Sequence, residues 1–455
     1  MCPCGFVSAR GRRSSMKFSG WIALSLVLFG GLAGILESGA ADVFLEATRT
    51  DFQKIPLGLV GIQNAGGPEW LGGRLEEVLK ADIRRSLVFS LVDLPGAGIK
   101  VRDVGPDPDP SFKGAAERGV SVIIWGKASL KTGDKDPEAN MDAYVYDAGS
   151  DEMVGGKKYV GSSSVVRLMA HRFADELVFR YTGEPGIART KIAYVSEQGA
   201  ARELFVMDYD GYEPRQLTSD GFLNLMPRWS PDRRFLVFTA YRDRQSQTID
   251  MLEVATGKRW TLAAFGGLNI TPNLSPDGNF LAFASSHEGN SELYRLDTRT
   301  KALQRLTTHS AGDLSPSWSP SGRDLVFTSD RSGGPQLFLM SADGTNVRRL
   351  TFEGEYNAAP AWSPRGNWIA YVCRTKEKQY KLCVITPDGQ KRVQLTTGHG
   401  VDDSPSWSPD GRHIVFSSIL DGKSQIYMIN VDGKDLERVT FTGVHNSAPA
   451  WSPAL

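Results

Sequence analysis

The chain has 455 residues, with 52 basic against 52 acidic side chains, 41% hydrophobic residues and four cysteines. This balance supplies none of the basic field that nucleic acid requires, and so few cysteines exclude a disulfide-built scaffold. The length allows more than one domain.

At the N-terminus, Arg10, Arg12, Arg13 and Lys17 precede the apolar run Trp21–Phe29, and Ser38-Gly39-Ala40 supplies the small residues of a cleavage site. Residues 1–40 therefore read as a signal peptide cut near Ala40. The alternative is a retained anchor, but Gly30, Gly31 and Gly34 break the run short of the ~20 apolar residues a span needs. No cysteine follows it, so the signal is not of the lipoprotein kind, and Met16 is an alternative start. Cleavage leaves 48 basic against 51 acidic residues.

Residues 41–182 contain no repeat and begin with an extended tail. A buried strand is expected at Ile55–Ile62, then a helix over Glu69–Leu87 with Leu71, Leu75, Val78, Leu79 and Ile83 on one face. Next come a strand at Phe89–Val92, a short helix at Phe112–Arg118, an apolar strand at Val120–Trp125 and a hairpin of Met141–Tyr146 with Met153–Val160. A second amphipathic helix, Val165–Tyr181, completes a small mixed α+β domain. Gly183-Glu-Pro-Gly186 links it to the remainder.

Residues 187–455 are repetitive. Trp-Ser-Pro or its variant begins at Trp229, Leu274, Trp318, Trp362, Trp407 and Trp451, at intervals of 45, 44, 44, 45 and 44 residues. Nine positions later stand Phe238, Phe283, Phe327, Tyr371 and Phe416, and twelve positions earlier Leu217, Leu262, Leu306, Leu350, Leu395 and Val439. Short apolar runs separated by turn residues such as Asp343-Gly344 and Asp388-Gly389 give four strands per unit. Four strands repeating at this period indicate a β-propeller. The first unit, from Lys191, lacks a Trp-Ser-Pro strand and the last has nothing else. Together they complete one blade, so the expected fold is an α+β N-terminal domain followed by an all-β six-bladed propeller closed by its C-terminal strand. Cys373 and Cys383 fall on consecutive strands of one unit, as a disulfide or as two reduced thiols.

No Gly-x-Ser-x-Gly, His-Glu-x-x-His or P-loop string occurs, and the six histidines are scattered. No catalytic residue, metal site or cofactor is expected. Three positions before the Pro of each innermost strand stands Asn224, Asn269, Asp313, Asn357, Asp402 or Asn446. These cap local turns, or present a polar ring at one mouth of the central channel to a partner, and the two roles are compatible. A propeller-borne hydrolase or lyase would draw on His399, Asp402, Asp403 and His445. A peptidoglycan or glycan binder would draw on Phe222 and Tyr356.

The segment Gly186–Val195, the stretch Asp208-Tyr-Asp-Gly-Tyr212, the Trp-Ser-Pro-Asp-Gly repeats and the terminal Pro449-Ala-Trp-Ser-Pro453, behind a signal peptide and an α+β domain, resemble the TolB family of the Tol-Pal system. The resemblance implies a non-catalytic, monomeric periplasmic protein that supports outer-membrane integrity and constriction during cell division. It implies binding of the peptidoglycan-associated lipoprotein Pal through the propeller mouth, at the six Asn and Asp residues with Leu268, Thr271 and Leu314. It also implies capture of the tail Ala41, Asp42, Val43, Phe44, Leu45 and Glu46 by the inner-membrane protein TolA.

Overall fold

The computed structural model describes residues 53–101, 105–131, 137–241, 247–420 and 422–455. The expected signal peptide and the tail Ala41–Glu46 lie outside the described residues. In the N-terminal region, β1 (Ile55–Gly66), β2 (Phe89–Val92), β3 (Val122–Lys131), β4 (Glu138–Asp147) and β5 (Glu152–Ser162) form one sheet in the order β2-β1-β3-β4-β5. β1 lies parallel to both its neighbours, and β3, β4 and β5 run antiparallel. The helices α1 (Trp70–Arg85) and α2 (Val166–Thr182) bury the apolar stripes that their periodicity predicts. Helix α1 sits so close to β1 that a Cβ at Gly72 would stand 2.3 Å from the Ile62 carbonyl oxygen. The helix expected at Phe112–Arg118 is instead two 3₁₀ turns, Pro110–Phe112 and Ala116–Arg118. Gly114 between them takes a left-handed φ of 66°, which an α-helix cannot accommodate.

The C-terminal region is propeller-like, but the expected six separate blades are not what the hydrogen bonding shows. Four stand apart as four-stranded antiparallel sheets, with inner strands Asn269–Leu274, Asp313–Trp318, Asn357–Trp362 and Val401–Trp407. The remaining strands share an eight-stranded sheet. One half is β6 (Lys191–Gln198), β7 (Ala201–Asp208) and β8 (Arg215–Gln216) with the C-terminal strand Asn446–Trp451, and the other is β9 (Leu223–Trp229), β10 (Phe235–Tyr241), β11 (Gln247–Glu253) and β12 (Arg259–Ala263). A single parallel pair, Arg202 with Leu223, joins the halves. The C-terminal strand pairs antiparallel with β6, placing Asn446 opposite Ser196 and Trp451 opposite Ile192. Cys373 and Cys383 are disulfide-bonded across one hairpin, with Cα atoms 5.9 Å apart.

The two regions share one core. Leu79, Ile83, Phe173 and Leu177 of the helices cluster with Ile192, Tyr194, Met207, Tyr209, Val439 and Trp451 of the propeller. Polar contacts fix the orientation. Arg85 pairs with Glu437, Arg167 with Asp210, and the Tyr209 hydroxyl donates to Asp82. Asp82 also meets Nδ1 of the buried His171 at 2.8 Å, while Nε2 of that ring stands 3.9 Å from Asp210.

Burial by itself would lower the His171 pKa, but the hydrogen bond and charge of Asp82, with Asp210 beyond, outweigh it and hold the imidazole above its ordinary value despite Arg167. A raised folded pKa makes protonation of His171 stabilising, fully so below an unfolded pKa near ~6.5, and the contribution is lost as pH rises through the folded value. Replacing His171→Gln is therefore expected to lower Tm more at pH ~6 than at pH ~9. Thermal unfolding at the two pH values checks this, and equal losses would contradict it.

Candidate functional site

Each of the six innermost strands carries the same irregularity. Met226, Thr271, Ser315, Ala359, Ser404 and Ala448 have φ of 54°, 53°, 53°, 52°, 54° and 48°, and none is glycine. Each stands just before the repeat proline, and the strand registers shift there so that this residue and its proline face one aromatic residue of the next strand. These are β-bulges. They explain two sequence features together: a bulge tolerates the missing N–H of proline, and the aromatic side nine positions after the repeat Trp covers the kink. Left-handed non-glycine residues cost roughly 1–3 kcal/mol each, so the surrounding joints must hold them.

Those joints are where the six predicted Asn and Asp residues go. All are at most 2% exposed, so the polar ring expected at the mouth is not presented to solvent. Five of the six instead reach the neighbouring blade. Asn224 Nδ2 donates to Glu203 Oε2 at 3.1 Å, Asn357 Nδ2 to Gln336 Oε1 at 2.9 Å, and Asn446 Nδ2 to Gln425 Oε1 at 3.1 Å. Asn269 Nδ2 donates to the Gln247 carbonyl at 3.0 Å. Asp402 replaces the amide and lies 3.6 Å from Lys381 Nζ, a compensating change of charge. Asp313 turns to Arg331 of its own blade at 2.6 Å, and burial raises its carboxyl pKa against the opposing effects of Ser329 and Arg331. Local capping is present as well, since Asn269 and Asn357 also donate to the carbonyls of Phe265 and Glu353 four residues back.

The facing residues on the preceding blade, all partners but Glu292, whose charge repels that of Asp313, were not singled out from the sequence. Glu203, Gln247, Glu292, Gln336, Lys381 and Gln425 stand 21 or 22 residues before each Asn or Asp, so the repeat alignment could have found them. A threonine completes most joints. Thr218, Thr307, Thr351, Thr396 and Thr440 each accept a backbone N–H of the third strand at 2.9 Å. Their hydroxyls donate to Glu203, Glu292, Gln336, Asp402 and Gln425. The donors of the joint are therefore committed to the structure, while Oδ1 of Asn224, Asp313, Asn357 and Asn446 is buried without a hydrogen-bond partner among the described residues.

The entry loops present apolar side chains beside charged ones such as Glu353 and Glu355. Phe222, Leu268, Phe352, Val401 and Phe441 are exposed on the loops that lead into inner strands, with Phe352 at 73% and Phe441 at 76%. Among the predicted contact residues Leu268 belongs to this rim, while Thr271 and Leu314 are half-buried and line the central cavity of about 790 Å³. Ala41–Glu46 lie outside the described residues. His171, Asp208 and Asp210 are the one group of potential ligand atoms within 4.8 Å of one another among the described residues, and Lys191 and Arg167 already pair with its two carboxylates. No helix among the described residues is long and apolar enough to cross a membrane.

The family profile described as TolB beta propeller domain matches residues 178–383 and 359–454. The chain belongs to the TolB β-propeller family. It is 35% identical over 227 residues to a protein TolB homolog of Chlorobium chlorochromatii, covering 50% of each chain. It is 33% identical over 250 residues to the Tol-Pal system protein TolB of Polaromonas naphthalenivorans, covering 55% of each. The chain thus spans about half the length of the curated relatives it matches. The crystal structure of TolB from Acinetobacter baumannii superposes with a TM-score of 0.74 at 25% identity, over 88% of this chain and 97% of that one.

Asn357→Ala should remove one of the two donors to Gln336 Oε1, which keeps Thr351, and the amide donor to the Glu353 carbonyl, a loss of about 1–3 kcal/mol. Leu268→Ala on the exposed rim should stay within about 0.5 kcal/mol. Denaturant unfolding of both variants checks the contrast, and equal losses would place Asn357 outside the load of the joint.

Proposed function

We propose that the chain is a non-catalytic periplasmic docking component of the Tol-Pal system, and that its eight-stranded sheet acts as two blades of a six-bladed ring. The observation that carries this reading is the division of labour on the propeller. The repeated polar residues are consumed inside the joints, and several entry loops expose apolar side chains suited to a protein partner. The relatives named as Tol-Pal system proteins support the system.

On this reading Pal docks on the entry-loop face, with Leu268 and the exposed aromatics at the contact and Thr271 and Leu314 at the channel opening. The buried residues Asn224, Asn269, Asp313, Asn357, Asp402 and Asn446 serve by holding those loops. The tail Ala41–Glu46 is the segment that TolA captures, after removal of residues 1–40 as a signal peptide. Residues 41–182 form the domain that carries the tail, and residues 187–455 the docking disc. The protein supports outer-membrane integrity and constriction at division as a monomer, without cofactor or metal. If capture of the tail changes affinity for Pal, binding of Pal changes affinity for TolA by the same factor.

The test is titration of the purified chain with Pal and, separately, with TolA. Leu268→Arg is expected to weaken Pal at least ~10-fold, about 1.4 kcal/mol, with Tm unchanged. Deletion of residues 41–52 is expected to abolish TolA binding alone. Undiminished Pal affinity in the arginine variant, or undiminished TolA affinity in the deletion, would reject the corresponding surface.

A further inference from the structure

The six copies of the inner strand act as controls for one another, and two positions break the pattern with charge. The residue before the repeat Trp or Leu is Asn273, Ser317, Ala361, Ser406 or Ala450 in five strands and Arg228 in the sixth. Its structural role is visible at three joints. Asn273 Oδ1 accepts the Trp318 backbone N–H at 3.2 Å, and Ser317 Oγ and Ser406 Oγ accept those of Trp362 and Trp451 at 3.0 Å. A guanidinium has no acceptor, so Arg228 cannot do this. Across the same joint stands Leu274, the one repeat position where Trp is replaced. The smaller side chain and the larger one occur together, where Trp and a small residue occur elsewhere.

Arg228 lines the central cavity and makes a hydrogen bond to the carbonyl of Pro227, with no carboxylate in ion-pair range among the described residues. Burial lowers its pKa, and Asp403 opposes that effect. Asp403 is the second departure. The corresponding residues are Leu225, Ile270, Leu314, Ala358 and Ser447, so one carboxylate stands among apolar neighbours and a serine. It too lines the cavity, where it is exposed and accepts the Ser404 N–H at 2.7 Å, and the channel wall raises its pKa by desolvation against the opposing effects of Ser404 and Arg228. Along their strands Asp403 precedes the bulge, on the entry-loop side, and Arg228 follows it, and the two form no ion pair with each other. Asp330 is the other charged residue among those lining the cavity. Prolines and tryptophans make up much of the wall, and the hydroxyls of Thr271, Ser315 and Ser404 supply hydrogen bonds at the level between them.

We propose that the channel is a binding site for a short peptide with both termini free, its α-carboxylate on Arg228 and its amino group on Asp403. The two opposite charges face one cavity without an ion pair between them, and a ligand with opposite charges at its two ends matches both. The guanidinium takes a carboxylate in bidentate fashion. A cavity of about 790 Å³ lies within the ordinary range for small-ligand sites. The inference is independent of the Tol-Pal reading, since it uses the channel and not the entry-loop rim.

Calorimetric titration of the full chain with trialanine, trialanine amide and N-acetyl-trialanine tests it. Wild type should bind trialanine and lose at least ~10-fold with either blocked peptide, the size of a charge-assisted hydrogen bond. Arg228→Ser restores the residue found at Ser317 and Ser406, and it should weaken trialanine to the level of the amide and bind both alike. Asp403→Ser, copying Ser447, should do the same for the acetylated peptide. No binding of trialanine by wild type, or unchanged discrimination in both serine variants, would overturn the site. Because each variant installs a residue that the repeat already carries, Tm should stay at the wild-type value. Loss of binding by a variant with lowered Tm is judged from the other variant.

Discussion

The propeller has to close, and it closes through backbone pairing of the C-terminal strand with β6, between residues 250 to 259 positions apart in the chain. A sheet of this kind left open would expose an unpaired edge along β6. The seam is reinforced at its far end. Trp451 Nε1 donates to Thr190 Oγ1 at 2.8 Å, and Ser452 N donates to the Lys191 carbonyl at 2.8 Å. Burial of Trp451 is worth roughly 3 kcal/mol, and the same indole sits in the core shared with the N-terminal helices. Closure of the ring and docking of the N-terminal region are therefore one packing event.

Much of this architecture is legible in the sequence because the propeller is periodic. The repeat Trp, the aromatic residue nine positions on and the unpaired first and last units predict strands, blades and seam from spacing alone. What escapes is the direction of the Asn and Asp side chains. It is decided across the joint, by partners such as Glu203, Gln336 and Gln425 that lie 21 residues away in the chain. The bulges escape as well, since Met226, Thr271, Ser315, Ala359, Ser404 and Ala448 share no side chain that would announce a left-handed conformation. The merging of two four-strand sets through Arg202 and Leu223 is a single backbone pair that no residue pattern encodes. In the N-terminal region the failure at Phe112–Arg118 has a visible cause in Gly114.

The same geometry separates structure from function. Repeated polarity belongs to the joints, where Glu203, Gln336 and Gln425 receive it. Features that most blades lack, namely the exposed Phe222, Phe352 and Phe441 of the entry loops and the pair Arg228 and Asp403 in the channel, are the ones on which the two binding proposals rest. Repetition marks what every blade needs, and departure from it marks what the ring as a whole does.

Removing the C-terminal strand by truncation after Val444 tests the closure most directly, read as the thermal unfolding transition of the full chain against the shortened one. Loss of the seam predicts a Tm lower by roughly 10 °C or more, or a propeller transition that is no longer cooperative. A truncated chain that unfolds cooperatively within about 2 °C of the intact protein would contradict the account.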